Sequence, residues 1–563
     1  MDPNRQEVDG TLPLIATLDL PHPSGALLSS FVTDALHPLV AARYVSDRLS
    51  AGEARSLVSD WIYIVESVTA NGRPPSPPDA DTQKAIMRRD GNKCCITGKA
   101  GSIWDPLLVM PILPIPSGWI ADKSRVFGML GAFFSPPYRD WWLSYASDPE
   151  KLHHYRSHWL VQKSAARAFA QGFVQLDRRQ PSMIEYKVKS VLIGPGEPVK
   201  VQGAYALLGD HSRSDIASVD ARFIGTQARL ATSIQYVELA RNIAPRIFLR
   251  HPSGPPATGA NNPPTRRSTS QAPLPLIIRH LGSLISFPIR AFVLSWRILP
   301  KRVRMATYDG LAKLGELIYG NDGIRHVQRL PFGLYLKSRG NADMLRNEFN
   351  ALRRVHQETS IPAPEPLDVI AQDENSYLLM TRVPGMPLWR CQELFSDTDC
   401  DEMVTQLKDY VAQLRDMPKT VNPEMAICNT LGEACRDHRI RSSDPIGPFV
   451  DEAAFSQCVR FSDEPSRRGH KIVFTHADLN PRNILVDKVA LPNGSSGWRV
   501  TGIVDWETAG YYPEYWDYTK ALFEGFRWRP RYLKMVHKVF AEFGDYSREL
   551  DVETRAWESG DAV

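Results

Sequence analysis

A chain of 563 residues is too long for one ordinary core, so two or three domains are expected. With 43% hydrophobic and 23% charged residues it has the composition of a soluble globular protein, and 67 Lys and Arg against 63 Asp and Glu leave a formal charge of +4, too little to suggest a nucleic-acid partner. Seven cysteines without a Cys-x-x-Cys pair, no basic-then-apolar leader behind Met1, and no run of about 18 apolar residues exclude a secreted disulfide scaffold and a spanning helix; the expected location is cytosol or nucleus.

In chain order, the first block covers residues 1–245, with a small break at Asn71-Gly-Arg-Pro-Pro-Ser-Pro-Pro78. It contains Arg89-Asp-Gly-Asn-Lys-Cys-Cys-Ile-Thr-Gly98, an apolar strand ending at Ile112-Leu-Pro114, then Trp159-Leu-Val161 with Ala168-Phe169 and Gly172-Phe173. The order of these pieces resembles a His-Asn-His (HNH) nuclease of the ββα-metal type. That resemblance implies a water-activating His where Pro111 stands, a metal-ligating His where Ala166 stands, and an Asn near Ser157 or His158. Without those imidazoles the block reads as a degenerate module kept for folding or partner binding. His153, His154 and His158 could substitute, but three neighbouring His in a polar stretch are more often solvated. Cys94 and Cys95, adjacent and lacking a second pair, read as core residues on a strand. Tyr186–Ile193 alternates as a strand; His211 is unassigned.

Residues 246–275 are rich in Pro, Ser and Gly and read as an extended, mobile linker. Between Arg241 and Tyr308 no acidic residue occurs, while Arg279, Arg290, Arg297, Lys301, Arg302 and Arg304 interleave with Leu281, Leu284, Phe292 and Trp296. Residues 276–304 could lie as a basic amphipathic helix on an anionic membrane surface. Packing against the next domain is the preferred reading.

That domain spans residues 276–545, leaving 546–563 as a tail. Leu334-Tyr-Leu-Lys337 reads as a strand, Arg346–Leu352 as helix, and Tyr377–Gly385 as an apolar strand running into a Pro-Gly turn. Farther on, His476-Ala-Asp-Leu-Asn-Pro-Arg-Asn483 sits between β-favouring runs Ile472–Phe474 and Ile484–Val486, and Asp505-Trp-Glu507 follows Ile503-Val504, so both polar motifs are loops between strands. Phosphoryl transfer needs a group that orients the attacking hydroxyl and hard oxygen ligands for a divalent cation; Asp478 suits the first task, Asn483 and Asp505 the second.

The pattern His-x-Asp-x-x-x-x-Asn followed by Ile-Val-Asp-Trp-Glu resembles the aminoglycoside phosphotransferase and choline kinase group of the protein-kinase-like fold. The resemblance implies that Lys337, held by Glu348, contacts ATP phosphates, that Met380 and Arg382 flank the adenine at the hinge, that Asn483 and Asp505 hold Mg2+, and that Asp478 is the base. It also implies that Asp517 supports the catalytic loop and that His476 is scaffold. Position 480 is Asn where kinases of Ser and Thr carry Lys, and Pro513-Glu-Tyr-Trp-Asp517 follows too soon for an activation segment. A small-molecule acceptor fits both features. The one candidate for a phosphate-covering loop, Gly320-Asn-Asp-Gly323, lacks Gly-x-Gly-x-x-Gly spacing, and Ala477 replaces a common Gly, which it can do unless the backbone there needs positive φ. Glu507 could support the metal or face solvent. In the insertion from Trp389 to Gly469, Asp397, Asp399, Asp401 and Glu402 could attract a cationic acceptor, although a solvated face is the preferred reading.

The expected fold is therefore α+β multidomain: a carboxy-terminal bilobal protein-kinase-like unit and an amino-terminal α+β module resembling an HNH nuclease. The expected function is ATP- and Mg2+-dependent transfer to a small-molecule hydroxyl. Alternatives are a catalytically impaired nucleotide-binding scaffold and, last, an active nuclease.

Overall fold

In the computed structural model the chain divides into two compact units, Met1–Pro252 and Ser253–Val563. Described residues are 3–119, 123–148, 153–178, 185–191, 193, 205–208, 215–243, 295–320, 326–339, 341–372, 376–440, 444–490, 496–523 and 525–559. The linker, His211 and the basic stretch before residue 295 lie outside them. Among the described residues no helix is long and apolar enough to cross a membrane.

The first unit opens with helices α1 (Pro3–Thr17), α2 (Ser24–Thr33), α3 (Pro38–Ser50) and α4 (Ala54–Thr69). Leu57, Trp61, Ile64, Val65 and Val68 make one buried stripe on α4, as a 3.6-residue period requires. Trp61 packs its ring on Phe31 and Phe133 at 4.8 and 4.6 Å between centroids and donates Nε1 to Ser233 Oγ at 3.0 Å. Helix α5 (Ala80–Arg89) follows, capped by the Asp79 carboxylate on the N–H groups of Asp81 and Thr82. Strand β1 (Leu107–Pro111), helices α6 (Lys123–Phe134), α7 (Pro136–Ser147) and the single turn α8 (His154–Ser157), strand β2 (His158–Gln162) and helix α9 (Lys163–Ala170) come next. A three-stranded sheet, β3 (Val174–Arg178), β4 (Glu185–Ser190) and β5 (Tyr205–Leu207), precedes the long helix α10 (Ala221–Ile243).

Strands β1 and β2 pair antiparallel with Pro111 opposite His158, and the chain runs straight into α9, which carries Ala166. The order is ββα. His158 is buried with Nδ1 3.0 Å from Ser157 Oγ, and burial, then the neighbouring His154, pushes it down to about 4, so it is neutral at physiological pH. Among the described residues, His153, His154 and His158 form no group of three metal ligands. Cys94 and Cys95 are buried, as core residues would be, but on a turn that docks on β2 through Cys95 N–H to Leu160 O at 2.9 Å; the strand expected there does not form. Arg89 explains the turn's position: its guanidinium pairs with Asp90 at 2.6 Å and reaches the carbonyls of Tyr155, Ala217 and His158.

In the second unit helix α11 (Lys301–Tyr319) leads into a four-stranded antiparallel sheet of β6 (Val327–Leu330), β7 (Leu334–Arg339), β8 (Pro366–Ile370) and β9 (Ser376–Thr381), in the order β6-β7-β9-β8. Strand alternation gives this sheet two faces. Leu336 and Leu379 join Tyr308, Leu330, Leu367, Ile370 and Tyr377 in a small core under α11. Lys337 lies opposite Leu378 and Tyr335 opposite Met380, so Lys337 and Met380 share the other face. Two arginines of the basic segment take part in this packing: Arg304 and the Tyr308 hydroxyl both donate to buried Asp368, and Arg297 donates to the Leu367 carbonyl at 2.6 Å. Lys301 and Arg302 beside them are exposed, as are Ile298 and Val303.

Helix α12 (Ala342–Glu358) crosses the sheet with Met344, Leu345, Ala351, Leu352 and Val355 buried. The larger half of the unit follows: β10 (Met386–Pro387), α13 (Leu388–Cys391), α14 (Asp397–Asp416), β11 (Cys428–Asn429), α15 (Glu452–Ser456), β12 (Ile472–Thr475), β13 (Ile484–Ala490), β14 (Ser496–Ile503), β15 (Gly510–Pro513) and helices α16 (Trp516–Phe523), α17 (Pro530–Phe540) and α18 (Ser547–Glu558). The expected tail is instead α18, which buries Val552 and Ala556 and sends Glu553 into an ion-pair network. Glu549, Val552, Glu553 and Ala556, three or four residues apart, make its buried face. The acidic run on α14 is structural: Asp399 forms a capping box with Ser396, while Asp397 and Asp401 pair with Arg531 and Lys538 of α17 at 3.1 and 2.9 Å.

Candidate active site

Two loops meet because their flanking strands pair. Ile484 at the start of β13 faces Ile503 at the end of β14, and the Val504 N–H continues the ladder to the Asn483 carbonyl at 2.9 Å. Asn483 entering one strand therefore sits beside Asp505 leaving the other. His476 closes the join. Its Nδ1 accepts the Asp478 N–H at 3.2 Å while Nε2 donates to the Val504 carbonyl at 3.0 Å, which fixes a neutral tautomer and leaves no nitrogen for shuttling protons. Burial holds its pKa below the ordinary value.

Ala477 stands at φ 59°, so the backbone does require the left-handed region in which only glycine is free of strain. Asp517 compensates. From the start of α16 its two oxygens accept the Ala477 N–H at 2.7 Å and the His476 N–H at 3.3 Å, satisfying the turn from behind. Asp505, at φ 69°, is a second strained residue, and both cluster where the side chains converge.

On the sheet side, the buried Lys337 ammonium contacts three carboxylates: Glu348 at 2.7 Å, Glu507 at 2.8 Å and Asp505. Burial alone would lower the lysine's pKa, but Asp505, Glu348 and Glu507 outweigh it and hold the group charged. Burial pushes Glu348 up to about 7, against the pull of Lys337. Oxygen atoms of Glu348, Asp505 and Glu507 lie within 4.8 Å of one another. A set of hard oxygen donors so closely spaced suits a divalent cation. Glu507, for which the sequence left two readings open, is buried in this cluster.

Asp478 faces the cluster from the loop His476–Asn483. Asn483 Nδ2 donates to its Oδ2 and to its carbonyl, both at 2.9 Å, which leaves the amide oxygen of Asn483 as the atom it can offer a cation. Burial pushes Asp478 up to about 6; Lys520 opposes the shift, and Asp505 and Asp437 add to it. Such a carboxylate is ionised at pH 7 yet basic enough to accept a proton.

The hinge residues are placed differently. Met380 is buried on the Lys337 face of the sheet, whereas Arg382 is exposed beyond β9 with its N–H already bonded to the Gly333 carbonyl at 2.8 Å. Of the loop from Gly320 to Gly323 only Gly320 is described, and it ends α11. Where a kinase carries its lysine on the third strand of the lobe, here β6 alone precedes β7 among the described residues of this unit, and a helix stands before it.

Sequence reasoning passed over Asn347. Its amide donates to the carbonyls of Glu507 and Ala509 at 2.9 Å each and its oxygen accepts from Thr430 N–H and Oγ1 at 2.9 and 2.7 Å, tying the Glu348 helix to the Asp505 loop. Nothing in the sequence around Arg346-Asn-Glu348 signals it. Replacing Asn347 by Ala leaves buried groups unpaired and is expected to lower unfolding free energy by about 3 kcal/mol, measured by urea denaturation. An effect below about 0.5 kcal/mol, the range of an ordinary surface substitution, would show that the clasp does not hold the helix.

Residues 325–550 match the model of the phosphotransferase enzyme family, APH. No curated protein matches the chain. Solved structures similar to it include aminoglycoside phosphotransferase APH(4)-Ia, at 12% identity over 40% of this chain and 76% of that one with a TM-score of 0.28. Another is APH(3'')-Id from Streptomyces rimosus in complex with ADP and streptomycin, at 20% identity over 40% and 86% with a TM-score of 0.26. Likeness of that degree carries no argument about chemistry; the family match and the geometry do.

Proposed function

We propose that the second unit transfers the terminal phosphoryl group of ATP to a hydroxyl of a small molecule. One observation carries the reading: Lys337 with its Glu348 partner, and the Asp478, Asn483 and Asp505 side chains, come from four separate segments into the order and contacts that phosphoryl transfer uses. In this reading Asp478 orients the acceptor hydroxyl and takes its proton as the acceptor oxygen bonds to the γ-phosphorus. The bond from that phosphorus to the β–γ bridging oxygen breaks, and ADP leaves with that oxygen. Lys337 steadies the phosphates, and Met380 lies on the face of the sheet where adenine would rest. Asn483, Asp505 and Glu507 are the residues that would hold Mg2+, which when bound supplies charge neutralisation for the phosphates. Alignment and charge compensation provide most of the rate, since the transition state is loose.

A nucleotide-binding protein without transfer is the second reading. Its support is that Lys337 is already closed by three carboxylates, one of them Asp505. Thermal shift with ADP, with and without Mg2+, and release of ADP from Mg-ATP decide between them. Mg2+-dependent binding with turnover is expected; binding without turnover in the presence of amino alcohols, sugars and aminoglycosides supports the second reading, and no Mg2+-dependent binding overturns both.

A further inference from the structure

Helix α11 carries apolar residues on two opposite sides, and the core uses only one of them. Tyr308 and Gly315 are buried, and Met305, Leu311 and Ala312 pack against the small core of the sheet. The fit there is close, because a methyl group on Gly315 would collide with the Arg329 carbonyl oxygen of β6. On the other side Val303, Ala306, Gly310, Leu314 and Leu317 recur at intervals of three and four, which lines them along one stripe, and all five are exposed. Leu317 is 83% exposed. A helix that lies on a core ordinarily turns polar residues to water. Here an apolar row faces outward from Val303 to Leu317, about 21 Å at 1.5 Å per residue.

The chain entering the helix extends this surface. Ile298, 84% exposed, and Leu299 precede Pro300, Lys301 and Arg302, all of them outside the core. Arg302 and Lys313, three turns apart, border the stripe along one edge, whereas the acids of the helix, Asp309 and Glu316, stand farther round it. Asp309 accepts the Tyr377 hydroxyl at 2.7 Å. From Ser295 through Tyr308 the sequence has no acidic residue.

That composition selects the partner. Interfaces between proteins favour aromatic residues and exclude lysine from their centres. Small and aliphatic side chains edged with lysine and arginine suit the boundary of an anionic bilayer, where the apolar stripe enters the headgroup layer and the long basic side chains reach the acidic groups of the lipid.

We propose that α11, with residues 298–302 before it, is a surface that docks the second unit on an anionic membrane. Ile298, Leu314 and Leu317 enter the headgroup layer, and Lys301, Arg302 and Lys313 meet the acidic lipid. Docking there does not depend on the phosphotransfer reading.

The test is flotation of the full chain with vesicles of phosphatidylcholine alone or with about one-third phosphatidylserine. Binding to the acidic vesicles is expected, at least about tenfold tighter than to the neutral ones, and it should weaken in about 0.5 M salt. Ile298→Glu with Leu317→Glu is expected to lower it at least about tenfold. Lys301→Ala with Arg302→Ala should lower it about 25-fold, the product of two basic groups near the surface. Because these side chains are exposed, both double variants should melt within about 2 °C of the natural chain. No binding to acidic vesicles, or binding that both double variants leave unchanged, overturns the proposal. Two other occupants would overturn it as well: self-association in sedimentation that Leu317→Glu abolishes assigns the face to a second copy, and a melting temperature lowered by more than about 4 °C in Leu317→Glu assigns it to another part of this chain.

Discussion

Asp478→Asn is expected to lower turnover by about 10²–10⁴-fold, the usual contribution of a positioned base, and at the same time to stabilise the protein above pH 6. Asparagine keeps an oxygen toward Asn483 Nδ2, so the loop should hold its shape and Mg-nucleotide binding should persist. The stability gain follows from linkage. Burial raises the Asp478 carboxyl to about 6, above the roughly 3.9 of an unfolded aspartate. A group raised in the folded state stabilises fully below its unfolded pKa and loses that contribution as pH climbs through the folded value. Above pH 6 the folded chain thus carries a charge it would rather not hold. With discount for a side chain one-fifth exposed, the penalty is about 1–2 kcal/mol. Melting curves of the two proteins at pH 8 and pH 4 check the sign: a rise of about 2–4 °C is expected at pH 8 and little change at pH 4. Unchanged turnover would remove Asp478 from the role of base, and a variant no more stable at pH 8 than at pH 4 would show that its charge is not held against burial.

The parts of this site that were legible in the sequence are those written into short stretches of chain. Three β-favouring residues on each side of a polar octet predicted that His476–Asn483 would be a loop between strands, and β12 and β13 form there. The same reading put Asp505 at the end of a strand, and the pairing of that strand with β13 brought it beside Asn483. Of the basic helix expected over 276–304 only residues 295–304 are described, and α11 begins at Lys301 near its end. What stayed hidden depends on partners far along the chain. Glu507 could be given a place only once Lys337, 170 residues earlier, was known to stand against it. In the first unit the HNH resemblance rested on an order of short pieces, which gave no sign of the three helices α6, α7 and α8 that separate β1 from β2.

Lys337→Met is expected to have the largest effect on stability, because it turns a compensated cluster into three converging carboxylates. Glu348 and Glu507 are 1% and 4% exposed, and neither can turn to solvent as Asp505 can. Removing one partner of a buried ion pair costs about 3–5 kcal/mol, so the variant should be much less stable than the natural chain at pH 8. The loss should shrink on acidification. Burial raises Glu348 to about 7 even with the ammonium in place, and without it Glu348 rises further above its unfolded value. Its protonated form is the one the fold tolerates, so stability should be greatest near pH 4 and fall as pH rises past 7. Millimolar Mn2+ or Mg2+ should raise the melting temperature of the variant more than that of the natural chain, since a cation can take the place the ammonium left among oxygens 4.8 Å or less apart. Urea denaturation across pH 5–8, with and without metal, measures both effects. A loss that is the same at every pH, or a variant indifferent to the metal, would mean that Lys337 fills space in this cluster and does not neutralise it. The reading of Asp505 and Glu507 as residues that can hold a cation would then fail with it.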